Sequence, residues 1–293
     1  QISAAFDLYW NDRWTFPIEA ISHQAASPEA LDEARRVSEA SRHLHIEQPP
    51  DERLEAWLAL VETADSGAAI LFVDEPPEDN PRNRDEFPVQ VANRLIQLFD
   101  EARQEIVIVT AYLIPTPDLE GAVNRALERG VRVRILTNSI ASNNHLTAHS
   151  AYRNHIEDLL ASGVELHEVR TDARDRDYYM KTPVGRKQLA LHAKAIIIDD
   201  DKVFVGSANL DPRSLKTNTE MGFLVISESF NLTVRDAVDG DFSAANAWRL
   251  EMQDDGKVFW VSDDETLESQ PATSFMQRIE DWFCSHLPLE GTL

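Results

Sequence analysis

Apolar positions along the chain change their spacing near residue 67, and the change divides it into two stretches. Residues 1 to 66 are biased toward helix. Ser27-Pro28-Glu29 and Pro49-Pro50-Asp51-Glu52 each read as a helix start, because proline in a first turn forfeits no internal hydrogen bond. From Ala68 the pattern becomes strand, helix, strand: AAILFV at 68 to 73, apolar residues at helical spacing over 91 to 102, then EIVIVTAY at 105 to 112. Thr116-Pro117-Asp118 caps a further helix, on which Leu119, Ala122, Val123, Ala126 and Leu127 share one face and which Gly130 closes. VRVRIL alternates at period two, so 105 to 137 reads as a βαβ unit with parallel strands. A helix over 152 to 161 feeds the strand VELHEV, 171 to 188 reads as a polar loop, and 227 to 293 carries weak signals apart from a helix at 274 to 284. The alternation predicts an α/β fold.

Chemistry concentrates in LHAKAIIIDDDKVFVGSAN at 191 to 209, where His192, Lys194, Asp199, Gly206, Ser207 and Asn209 fall at the spacing H-x-K-x4-D-x6-G-S-x-N. If LHAKAIII is a strand, His192 and Lys194 project from one face and can reach a single phosphate. Asp200 and Asp201 signal a turn, and VFV resumes a strand after which Ser207 and Asn209 again share a face. Asp199 has the opposite parity and is expected to be a structural hydrogen-bonder. A neutral imidazole can attack phosphorus near neutral pH when a carboxylate on its other nitrogen fixes the tautomer, and Glu220 is the candidate. Lys194, Asn209 and Ser207 would then neutralise and orient the non-bridging oxygens without a metal.

Other features fit blander readings. His145 and His149 are spaced as two helical zinc ligands would be, but position 146 is Leu where a zinc protease has Glu. The acids at 199 to 201 are accounted for by a hairpin turn, and Arg213 is expected to pair with a core acid. Neither metal nor cofactor is expected.

Charge narrows the partners. With 28 Lys and Arg against 51 Asp and Glu, the net charge is −23, and no basic run exceeds two residues. A nucleic-acid partner is disfavoured, since phosphate backbones demand a basic face. The same charge repels anionic lipid surfaces, so membrane docking would need a basic or apolar patch. The longest apolar runs fall far short of the roughly 18 residues that suggest a span. The single Cys284 rules out an internal disulfide.

HAKAIIIDDDKVFVGSANLDPRS, followed by NTEMG, resembles the second HKD motif of the phospholipase D superfamily. The DPRS and NTEMG extensions look like its bacterial cardiolipin synthase branch without transmembrane helices. AYLIP at 111 to 115, RGVRVRILTNSIASNN at 129 to 144 and AHSAYR at 148 to 153 resemble that branch's strand end, strand and substrate-side loop. FDLYWN at 6 to 11 resembles the close of a first HKD domain, and LPLEGTL at 287 to 293 the branch's tail. The resemblance implies a phospholipase D-type mixed β-sheet flanked by helices, with residues 1 to 66 ending a first HKD domain and bridging to a second over 67 to 293. It implies phosphatidyl transfer, as cardiolipin synthesis or hydrolysis, through a covalent phosphohistidine on a phospholipid substrate. His149, and Tyr112 at the end of a core strand, are candidates to line the pocket.

One departure matters. The family builds one site from two HKD motifs, and none of the other eight histidines is followed by Lys two residues on. The partner histidine is therefore expected from a first HKD domain of the same protein or from a homodimer mate, with peripheral membrane contact on a side the residues leave open. Rival readings are a phosphodiesterase or nuclease of the superfamily and a non-catalytic structural half.

Overall fold

Successive isoleucines and valines form the central strands, because a strand buried on both faces carries a continuous apolar run. In a computed structural model, residues 1–21, 27–40, 50–76, 90–172 and 190–288 are described. Residues 173 to 188 of the expected loop and most of the expected tail lie outside them. The chain divides into two compact units, Ile2–Asp65 and Ser66–Leu293.

The first unit holds α1 (Ile2–Trp10), α2 (Ile18–Ile21), α3 (Pro28–Ala40) and α4 (Pro50–Glu62). The Ser27 hydroxyl accepts the Ala30 N–H at 3.2 Å, capping α3. No residue of α1 to α3 is buried.

The second unit runs β1 (Ala68–Val73), α5 (Gln90–Glu101), β2 (Glu105–Thr110), α6 (Pro117–Glu128), β3 (Arg132–Asn138), α7 (Leu146–Arg153), α8 (Ile156–Ser162) and β4 (Glu165–Val169). It continues β5 (Lys194–Ile198), β6 (Lys202–Gly206), α9 (Pro212–Lys216), β7 (Met221–Ile226), α10 (Glu228–Asp239), β8 (Ala247–Met252), β9 (Val258–Val261), β10 (Thr266–Leu267) and α11 (Phe275–Ser285). The strands form one sheet in the order β1-β7-β6-β5-β2-β3-β4-β8-β9-β10. Only β2, β3 and β4 run parallel, and every other pairing is antiparallel. The fold is thus a mixed sheet flanked by helices.

Side-chain alternation splits the core between two faces. Ile106 and Ile108 of β2 join Leu95, Phe99, Ala122 and Leu159 from the helices on one side. Val107 and Val109 join Ile197 and Val203 on the other, covered by Phe230, Val234 and Val238 of α10. Thr116 caps α6 by accepting from Leu119 N, and Gly163 closes α8 at φ 100°, a left-handed conformation that only glycine adopts freely.

Two expectations are corrected here. The helix expected over 152 to 161 is two helices, because Asn154 and His155 close α7 with tight i to i−3 bonds and His155 starts α8. The weakly patterned C-terminal region adds α10 and the strands β8, β9 and β10, which extend the sheet beyond β4. Among the described residues, no helix is long and apolar enough to cross a membrane.

Candidate active site

Antiparallel pairing of β5 with β2 brings Lys194 opposite Thr110, at the end of the sheet where β2 and β3 finish. β5 begins at Lys194, so His192 precedes the strand instead of lying on it, and is exposed. The pair still converges: Lys194 Nζ lies 3.5 Å from His192 Nε2 and donates to the His192 carbonyl at 3.1 Å. Asn138, the last residue of β3, holds this irregular segment. Its Oδ1 accepts the Leu191 N–H at 2.9 Å, and its Nδ2 donates to the carbonyls of Leu191 and Ala111, both at 2.9 Å.

Ser207 follows β6 as His192 precedes β5. Its N–H donates to the Met221 carbonyl at 2.8 Å, and its hydroxyl donates to Glu220 Oε2. Asn218 Nδ2 donates to the other Glu220 oxygen at 3.1 Å. Among the described residues no hydrogen bond joins Glu220 to His192, the partnership expected from sequence; Ser207 and Asn218 each donate to one of its oxygens. Arg213, expected to pair with a core acid, is exposed and donates to Asn218 Oδ1 at 3.2 Å.

Gly206 opposes Gly222 across the β6–β7 pairing, with the Phe204 ring packed beside both. A Cβ on Gly206 would fall 2.6 Å from the Met221 carbonyl oxygen, so close approach demands glycine here. Asn209 lies in the turn that follows, fixed where Leu210 N donates to the Tyr112 carbonyl at 3.2 Å and Ile114 N donates to Leu210 at 2.7 Å. Its Oδ1 is buried and, among the described residues, without a hydrogen-bond partner, so that end of the amide is not committed to the fold.

Asp199 sits at the opposite end of β5, at φ 51°, and accepts the N–H groups of Arg103, Gln104 and Glu105 at 2.7 to 3.1 Å. A cleft of about 850 Å3 lies at that end too, lined by residues of both charge signs including Arg103, Arg129 and Asp199 to Asp201, and remote from His192. Tyr112 stays at the site end, half-buried, its hydroxyl donating to Asn144 Oδ1 at 2.8 Å. His149 does not line an open pocket. It lies in α7, not a loop, is fully buried, and meets Asp281 at 2.7 Å.

Two buried carboxylates and Asn138 were not anticipated as site residues. Asp74, at the end of β1, accepts the N–H groups of Glu220 and Val91, each at 2.9 Å, and burial raises it above the usual carboxylate range against those bonds. Asp211 caps α9 by accepting Ser214 N at 2.7 Å, and burial raises it also. Burial lowers Lys194 below the usual lysine value, opposed by the negative charges of Glu220 and Asp211. The Asp-Pro-x-Ser run signals the Asp211 cap, whereas Asp74 and Asn138 act across distant strands and leave no local signal. The site end therefore combines an exposed imidazole, an adjacent ammonium, an amide and a buried carboxylate, a set able to bind and attack a phosphodiester.

A family profile described as cardiolipin synthase, PLD-like domain, matches residues 95–242. The chain is 34% identical to cardiolipin synthase C of Escherichia coli (strain K12) over 206 residues, covering 68% of this chain and 43% of that protein. It is 29% identical to cardiolipin synthase B of the same strain over 168 residues, covering 57% of this chain and 35% of that protein. The match thus spans less than half the length of each relative. Among solved structures, the phospholipase D family member Nuc from Salmonella typhimurium aligns with a TM-score of 0.41 at 20% identity, over 61% of this chain and 97% of that one.

Proposed function

The chain belongs to the cardiolipin synthase PLD-like domain family, and from that membership we propose that it supplies one half of a two-histidine site that transfers a phosphatidyl group. The observation that carries the reading is the approach of Lys194 Nζ to His192 Nε2, at 3.5 Å. An ammonium beside the imidazole is where a phosphate oxygen gains most from charge neutralisation.

The reaction is a double displacement. One histidine nitrogen attacks phosphorus, the bond from phosphorus to the leaving alcohol breaks, and the second histidine gives that alcohol its proton. An acceptor alcohol then surrenders its proton to the second histidine as its oxygen attacks, and the phosphorus–nitrogen bond breaks. Phosphatidylglycerol as donor and acceptor yields cardiolipin and glycerol, whereas water as acceptor yields phosphatidic acid. His192 is one of the two histidines. The other comes from a first HKD domain or from a dimer mate, since the sequence holds one HKD motif. Lys194 and Asn209 hold the non-bridging oxygens. Glu220 acts through Ser207 to fix the loop after β6 against β7.

The test supplies phosphatidylglycerol, with the second histidine provided, and identifies the products. Cardiolipin or phosphatidic acid is expected. Cleavage of nucleic acid with no lipid turnover would overturn the reading in favour of a nuclease.

A further inference from the structure

Helix α11 is built inside out. Its inward side is polar: Asp281 is fully buried and accepts from Ser150 at 3.0 Å and Arg153 at 3.0 Å while meeting His149 at 2.7 Å. Gln277 Nε2 donates to the Ile140 carbonyl at 2.9 Å, and Arg278 Nε to the Gln270 carbonyl at 3.0 Å. Its outward side is apolar. Phe275, Met276, Ile279, Trp282, Phe283 and, just beyond the helix, Leu287 are 40 to 73% exposed. At 100° per residue the five helical positions fall on one arc opposite Asp281, and Leu287 follows at the end of the helix. Exposed side chains scattered singly need no explanation, but a contiguous aromatic-rich stripe marks an interaction surface.

We propose that this face of α11 is the surface by which the protein docks on an anionic phospholipid bilayer, lying in the plane of the interface. The choice of occupant rests on the lipid-substrate reading above and on three observations. First, the stripe follows a helix of 11 residues, about 16 Å long and roughly 10 Å wide. Such a strip, lying along the plane of the interface, suits shallow insertion among headgroups. Trp and Phe favour that boundary.

Second, charge complements the stripe locally although the chain as a whole is acidic. A cleft of about 410 Å3 beside Trp282 is lined by Arg153, Lys257 and Arg278 with Glu157 and Glu268. Lys257 already pairs with Glu268 at 2.6 Å. Among the described residues Arg278 has no carboxylate partner, leaving its guanidinium for a lipid phosphate.

Third, the helix is tied to the catalytic end of the sheet. Gln277 holds Ile140, two residues past Asn138, and the same loop carries Asn144, which binds Tyr112. A bilayer under α11 would thus lie beside the site that draws lipid from it, and the overall charge of −23 leaves an apolar patch as the means of docking.

The test uses vesicle flotation of the 293-residue chain on equimolar phosphatidylglycerol and phosphatidylcholine, with a solvent-sensitive fluorophore at position 283 (F283C in a C284S background). The label should shift to the blue and be quenched by shallow nitroxide lipids. Trp282→Ser with Ile279→Ser should weaken partition at least about tenfold, with an unchanged circular dichroism spectrum. Overturning results are a label that stays in water while the protein binds through other helices, no binding at all, or a label buried by self-association without lipid. Equal partition onto phosphatidylcholine alone would overturn the role given to Arg278. In protein that has its second histidine, lipid turnover with position 283 in water defeats this inference but not the proposed function, whereas docking without turnover does the reverse.

Discussion

Asn138 grips the Leu191 peptide from both sides, accepting its N–H and donating to its carbonyl, each at 2.9 Å. His192 is the next residue. It lies outside any strand, so this clasp does for the imidazole what a sheet ladder would otherwise do. Replacing Asn138 with Ala leaves the buried Ala111 carbonyl unpaired, at about 1–3 kcal/mol, and the half-buried Leu191 groups at less. It should also cut turnover by roughly ten- to a hundredfold through misplacement of the imidazole. The diagnostic readout is kcat falling with KM nearly unchanged. A loss of stability with kcat intact would assign Asn138 to the fold alone.

Gly206→Ala should destabilise by roughly 1–3 kcal/mol, because the new methyl meets the Met221 carbonyl at 2.6 Å and the Phe204 ring at 2.8 Å. Thermal unfolding measures this directly, and an unchanged midpoint would contradict the close approach between β6 and β7.

Glu168 gives a pH signature. It is fully buried, its oxygens accept from Tyr152 Oη at 3.0 Å and Trp260 Nε1 at 2.9 Å, and burial pushes its pKa up to about 7. Unfolded, the group titrates near about 4.3. Between those values the native state binds more protons than the unfolded state, so its stabilising effect is complete below the lower value and is lost as pH rises through the higher. Unfolding free energy should therefore decline by up to a few kcal/mol from about pH 4.5 to 7 on this account. Glu168→Gln, neutral at every pH, should flatten the decline. An identical pH profile in wild type and variant would refute the assignment.

Metal chelation should leave turnover intact, because Lys194 and Asn209 handle the phosphate charge. Loss of activity in EDTA, restored by one divalent ion, would point to different chemistry.

The central βαβ unit and the β5–β6 hairpin were legible because their strands are runs such as EIVIV and AIII, buried on both faces. The C-terminal strands were not. AWRLEM alternates apolar and polar residues, but its pairing with β4 joins segments far apart in the chain, which no local pattern announces. The spacing of His192, Lys194, Ser207 and Asn209 picked out residues that the fold brings to one end of the sheet, but spacing carries no information on which partner a carboxylate takes. Glu220 shares a hydrogen bond with Ser207 and leaves His192 to Lys194. His149 was a pocket candidate only through the resemblance of AHSAYR to a substrate-side loop, and its actual partner, Asp281, lies 132 residues away on α11, beyond the reach of any local pattern.

The central claim is that His192 takes part in the chemistry, and substituting it with Asn in protein that has its second histidine tests this most directly. Steady-state phosphatidylglycerol turnover should fall at least about a hundredfold, the low end for lost acid–base catalysis, with the thermal unfolding midpoint unchanged because the side chain is exposed. Turnover near the wild-type rate in His192→Asn would contradict the account.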